Sequence, residues 1–172
     1  MTASLMMLST LISCDFVLEG NSNKGDTQKE EIAVHMDEAK LLVETSMINM
    51  SVLHLSQLDK ESDFDQEVKV MSNTLKREHF KLSQKLDEMA EEKLISLPDT
   101  LYNGSVTSIL KVKEPLNSEV YLKRLYQLLK NQISSLDMLS KRTTDSDFKT
   151  LSLETKSMLE DELKETERLL TM

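Results

Sequence analysis

Four side chains able to bind a ligand or a metal fall on or beside apolar stripes: Asn49, His79, Gln132 and Glu162. Helical spacing puts one on each of four expected helices, so a bundle can gather them into one layer. The chemically richer reading is a polar pocket in which His79 and Glu162 act as ligands while Asn49 and Gln132 orient them from behind. The plainer reading is a polar core layer in which His79 and Glu162 pair, or bond to backbone and water, because an unpaired buried polar group costs about 1–3 kcal/mol. Di-iron centres inside helical bundles use Glu-x-x-His pairs on two helices plus two further glutamates. No Glu-x-x-His occurs in this sequence, and Lys76 stands where the acid of His79 belongs. Neither a di-metal centre nor any other cofactor is therefore expected.

The other candidates for chemistry are weaker. His35 and His54 are placed on exposed or boundary faces, His35 following Glu31 by four residues in ordinary helix-surface pairing; either can hold a transition metal only loosely. Eleven methionines, including the close pair Met47 and Met50, raise the question of thioether-bound Cu(I). Met6 and Met7 would leave with an N-terminal export signal, most of the rest fall at core spacing, and methionine packs irregular gaps. No Gly-rich phosphate loop, Ser-His-Asp set or His/Cys zinc spacing is present, so the chain is not expected to be an enzyme.

These side chains need helices to position them, and the sequence supplies the pattern. The organising stretch runs from Glu61 to Lys93, where Phe64, Val68, Met71, Leu75, Leu82, Leu86 and Met89 recur at steps of three and four and His79 fills the gap. Before it, about Glu30 to Lys60 carries Leu41, Leu42, Ile48, Val52, Leu55 and Leu58. Ser62 followed by Asp65 approximates a capping box at the start of the second helix. Leu97-Pro98-Asp99 ends that helix and Asn103-Gly104 marks a turn in a long connection. Asn117 or Ser118 caps a third helix with the stripe Tyr121, Leu125, Leu128, Leu129, Ile133, Leu136 and Leu139. Asp145 or Ser146 caps a fourth, with Phe148, Leu151, Met158, Leu159, Leu163, Leu169 and Leu170 as its buried side. The tripeptide Ser-Asp-Phe at 62–64 and again at 146–148 opens both helices of this reading, as a duplicated hairpin would. The expected fold is all-α, an antiparallel four-helix bundle over residues 31–172.

Composition agrees. Three Gly, two Pro and 4% aromatic residues in 172 are too few for a β-sandwich. The formal charge of −9, with lysines interleaved among glutamates, argues against nucleic acid, which requires a concentrated basic face. The single cysteine, Cys14, cannot form an internal disulfide and is a free thiol, an intermolecular link or a modified residue. Residues 1–13 carry no charge and are too short for a membrane span of about 20 residues, which suits an export signal. Residues 14–30 are polar and hold two of the three glycines, as expected of a flexible tether.

Leu11-Ile12-Ser13-Cys14 resembles the lipobox of bacterial lipoproteins, with small Ser13 before the cleavage point, although no Lys or Arg precedes the apolar run. That resemblance implies a lipid on Cys14 and a membrane as partner, at the periplasmic or envelope face. A second resemblance rests on Asn49-Met50-Ser51, Glu67-Val68-Lys69, Glu78-His79 and Leu86, followed by Leu97-Pro98, Tyr121-Leu122 and Phe148. In this order, over about Ala39 to Leu170, they resemble a bacterial ferritin-like domain of unknown function whose members are often labelled "predicted outer membrane protein". It implies export and a ferritin-like bundle, and no defined activity. The family pattern has further histidines on the third and fourth helices; here those regions offer Leu129 to Gln132 and Glu162, so only His79 matches. The expected function is a non-enzymatic, membrane-tethered binding or stress-related structural module with a protein or small-ligand partner. The alternatives are a ferritin-like metal-binding protein or vestigial oxidase, and a cytosolic helical adaptor.

Overall fold

A computed structural model describes residues 22–58, 64–99 and 116–172, with side chains from residue 32 onward. Cys14 and the signal lie outside the described residues. Among the described residues there are four helices: α1 (Ser22–Gln57), α2 (Gln66–Glu92), α3 (Ser118–Arg142) and α4 (Ser146–Leu170). Together they form the all-α four-helix bundle expected from the periodicity. α1 takes in residues 22–30 of the stretch read as tether. Among the described residues no helix is long and apolar enough to cross a membrane.

α2 and α3 bury the faces their spacing dictates. In α2 these are Val68, Met71, Leu75, Leu82, Leu86 and Ala90, with His79 inside the stripe. In α3 they are Tyr121, Leu125, Leu128, Leu129, Leu136 and Leu139, with Gln132 among them. The apolar side chains form two clusters. The larger is built on Val52, Leu55, Leu75, Leu125 and Leu129, and the smaller on Leu42, Leu82, Leu86, Leu139 and Phe148. Phe64, just ahead of α2, stacks on Tyr121 at 4.8 Å between ring centroids and closes one end of the larger cluster.

α4 departs from its expected stripe. Met158, Leu163, Leu169 and Leu170 are only partly buried, while Ser152, Thr155 and Thr166 are buried. Small hydroxyl residues can sit against a neighbouring helix because the side chain returns its hydrogen bond to its own backbone. Ser152 Oγ donates to the Phe148 carbonyl at 2.7 Å and Thr166 Oγ1 to that of Glu162 at 2.8 Å. The helix starts also differ from one another. Asn117 caps α3 by accepting from the Val120 N–H at 2.9 Å, and Asp145 caps α4 by accepting from Asp147 and Phe148. α2 begins later than the capping-box reading placed it, after Asp65, whose side chain makes no cap bond; its backbone N–H instead donates to Ser118 Oγ at 2.9 Å. The two Ser-Asp-Phe copies are therefore not equivalent: 146–148 is the first turn of α4, whereas Phe64 precedes α2.

The pairings between helix ends fix the topology. The Asp65–Ser118 bond sets the starts of α2 and α3 side by side, so these two run parallel. Lys93 Nζ, just past the end of α2, reaches Asp145 at 2.7 Å at the start of α4. Arg142 at the end of α3 reaches Asp37 in the first half of α1 at 2.9 Å. The order is up, down, down, up, and the connection from α2 to α3 covers the length of the bundle, about 40 Å at 1.5 Å per helical residue. α1 packs along both α2 and α3, and α3 along α4, while among the described residues the α2/α4 seam is the most open of the four.

Candidate functional site

Register along each packed pair puts the four polar residues at one level. Thr45 Oγ1 meets Ser135 Oγ at 3.3 Å across α1 and α3, and one helical turn further along α1 brings Asn49 level with Gln132. Asn49 bonds His79 across α1 and α2, and His79 bonds Glu162 across α2 and α4. Three of the four are therefore linked in one chain of hydrogen bonds. His79 and Gln132 are fully buried, Asn49 nearly so, and the Glu162 side chain keeps 10% exposure.

The bonds assign the histidine tautomer. Asn49 Nδ2 donates to the backbone carbonyl of His79 at 3.0 Å, which orients the carboxamide. Its Oδ1 can then only accept, and it lies 2.7 Å from His79 Nδ1, so Nδ1 carries a hydrogen. The other ring nitrogen, Nε2, lies 3.0 Å from Glu162 Oε2. A hydrogen bond there requires one shared proton, held either by an imidazolium facing a carboxylate or by a carboxyl facing a neutral ring. In both arrangements Asn49 pins the ring and the ring pins one oxygen of Glu162. The second oxygen, Oε1, is buried without a hydrogen-bond partner among the described residues.

Gln132 does not join the relay. Neither of its amide atoms has a hydrogen-bond partner among the described residues, so its expected role behind His79 and Glu162 lacks a contact. Nor do His79 and Glu162 find a third ligand: among the described residues no group of three or more His, Cys, Asp or Glu side chains is arranged to hold a metal ion. His54 is exposed, as expected.

Glu162 has a second surface. Beside it the open α2/α4 seam forms a groove of about 450 Å³ whose wall includes Val70, Met71, Leu75 and Glu162 itself. Glu162 thus contributes to the groove wall while its carboxyl group faces the bundle interior, Oε2 toward His79 and Oε1 shut off from solvent. A largely apolar groove of this size can take a small organic molecule.

A separate buried carboxylate escaped the reading of the sequence. Glu38, 2% exposed, accepts from the Thr143 hydroxyl and lies 3.1 Å from His35 Nδ1. Thr143 Oγ1 in turn accepts the Asp145 N–H at 3.0 Å, tying α1 to the α3–α4 turn. Position 38 continues the run 41, 42, 45, 49 and 52 at helical spacing, which was the available signal; a glutamate there reads as surface.

Asp145 also meets Lys93, whose ammonium reaches Asp147 at 3.0 Å as well. The Lys93 hydrogen bond holds the Asp145 carboxyl below the ordinary aspartate range, and Asp145 in turn raises Lys93. A depressed carboxyl contributes stability above its unfolded pKa and loses it as pH falls through the folded one; a raised amine contributes below its unfolded pKa and loses it only at high alkalinity. Lys93→Met removes the ammonium that meets both carboxylates and lies 5.8 Å from the centroid of the Phe148 ring, and is expected to lower stability by about 1 kcal/mol near pH 7. Urea unfolding at a series of pH values should show that deficit closing below about pH 4. A deficit constant down to pH 2 would mean that the pairing with Asp145 and Asp147 is not its cause.

No protein-family model, curated protein or solved structure matches the chain, so the site stands on its own geometry.

Proposed function

We propose that this protein is a non-enzymatic binding module of the bacterial cell envelope, a helical bundle tethered to a membrane by lipid on Cys14, with its ligand site in the α2/α4 seam. The observation that carries the binding reading is the double role of Glu162, which ends the buried Asn49–His79 relay and forms part of the groove wall. Holding a carboxylate rigidly beside an apolar groove is worthwhile for recognition, since preorganisation lowers the cost of binding. The tether rests on the lipobox-like Leu11-Ile12-Ser13-Cys14 after an uncharged run. A lipid chain anchors at about 0.8 kcal/mol per buried methylene. Radiolabelled palmitate should be incorporated in bacterial cells expressing the full chain and should be lost in Cys14→Ala. Label that survives the substitution removes the lipoprotein reading.

A second reading, a ferritin-like metal binder, is supported by the single long crossover between α2 and α3, a connection that ferritin-like bundles use, and by the imidazole–carboxylate pair inside. Protein purified without iron, copper or zinc, and unmoved by them in thermal unfolding, would set it aside.

A further inference from the structure

We propose that the outer face of α1 carries a site for one soft monovalent cation, Cu(I) or Ag(I), held by the thioethers of Met47 and Met50 and the imidazole of His54. The first observation is placement. At about 100° per residue, Met47 and His54 lie about 20° apart around α1 and Met50 within about 60° of both, on a strip about 10 Å long. All three fall on the side turned away from Asn49, which points into the polar layer. No residue of α1 lines the α2/α4 groove, so the two sites are separate. The second observation is burial. Methionine at core spacing is expected to fill gaps, and Met71 does so inside the larger cluster. Met47 and Met50 are half-buried and belong to neither cluster, so core packing does not account for them. The third is their surroundings. In a chain that is 30% charged, residues 45–58 hold no Asp, Glu, Lys or Arg. His54 is exposed and enters no hydrogen bond or ion pair among the described residues.

The donor set decides the class of ion. Thioether sulfur is a soft, uncharged ligand that suits Cu(I), and imidazole serves the same metals from its neutral form. Hard divalent ions such as Mg²⁺ and Ca²⁺ require carboxylate or carbonyl oxygens, and structural Zn²⁺ sites are built from thiolate, imidazole and carboxylate in fours. The strip on α1 offers neither a thiolate nor a carboxylate, so it discriminates by softness. Methionine has three rotatable bonds, which lets two sulfurs from successive turns converge with the imidazole of the next on one ion. Three neutral ligands leave the ion its single positive charge, which a chain of net charge −9 attracts.

Titration of the full chain with Ag(I), which needs no reductant, tests the assignment, with Cys14→Ser present throughout because a free thiol would capture the ion first. Carbon-13 methyl labels on methionine report which sulfurs bind. The first equivalent is expected to shift the Met47 and Met50 methyl signals and the His54 ring, and to leave those of Met71 and Met89 in place. Met50→Leu, which nearly keeps the volume, and His54→Gln, at an exposed position, should each weaken the first equivalent about ten-fold or more without changing the helical circular dichroism. Cu(I), kept reduced by ascorbate and competed against bicinchoninate, should follow the same order, and Zn²⁺ should not displace Ag(I). Shifts confined to other methionines, a first equivalent held as tightly after Met47→Leu and Met50→Leu together, or displacement by Zn²⁺ would overturn the proposal. So would no binding of Ag(I) at all, a result that leaves the reading of the α2/α4 seam untouched.

Discussion

Replacing His79 with leucine is expected to lower stability by about 3 kcal/mol, although leucine fills the same space and is the more hydrophobic residue. The loss comes from the neighbours. Asn49 Oδ1 would lose its donor inside the bundle, and Glu162 would lose the group that meets Oε2 among the described residues. Removing one partner of a buried charged pair typically costs about 3–5 kcal/mol, because the other is left uncompensated. The lower end applies here because the groove gives Glu162 a direction in which to turn toward water. Urea unfolding measures the change, and Glu162→Gln is the contrast: a carboxamide still satisfies Nε2, so its cost should stay below about 1 kcal/mol. A His79→Leu protein within 1 kcal/mol of the parent would mean that the relay does not hold the helices.

What could be foreseen about this layer followed from side-chain periodicity, and what could not depended on contacts. The gap at His79 in an otherwise apolar stripe marked the residue as interior, and the same logic marked Asn49, Gln132 and Glu162. Spacing alone could not say which of the four would touch, since that depends on the rise and rotation between helices. Gln132 sits at the right level and bonds to none of the others. Glu38 shows the opposite failure. It lies at core spacing, but its partners are a histidine three residues ahead of it and a threonine 105 residues later, so nothing local reveals why a carboxylate is tolerated there. The hydroxyl face of α4 was missed because Ser152, Thr155 and Thr166 count as polar in any periodicity argument. The start of α2 was missed because a cap pattern at Ser62 competes with Asp65, where a contact to α3 decides.

The sharpest test of why the layer is polar replaces all of the relay at once. Asn49→Leu, His79→Leu and Glu162→Leu together remove every donor and acceptor that the three residues give one another, so no partner is orphaned among them. Leucine is near histidine and glutamate in volume and, though bulkier than asparagine, matches its branched skeleton, so the packing between the two apolar clusters is largely kept. Buried ionic groups exchanged as a set for apolar residues of similar size often leave a protein unchanged or more stable by about 1–4 kcal/mol. The triple variant is therefore expected to unfold at higher urea than the parent, although His79→Leu alone unfolds at lower urea. These substitutions share one network, so the sum of the single effects has no predictive value and the sign reversal is the informative result. A gain in stability would mean that the native layer is held at a thermodynamic cost, which is the pattern of a site kept for binding. A triple variant less stable than the parent by more than about 2 kcal/mol would instead make Asn49, His79 and Glu162 parts of the scaffold, and the groove beside Glu162 a consequence of loose helix packing.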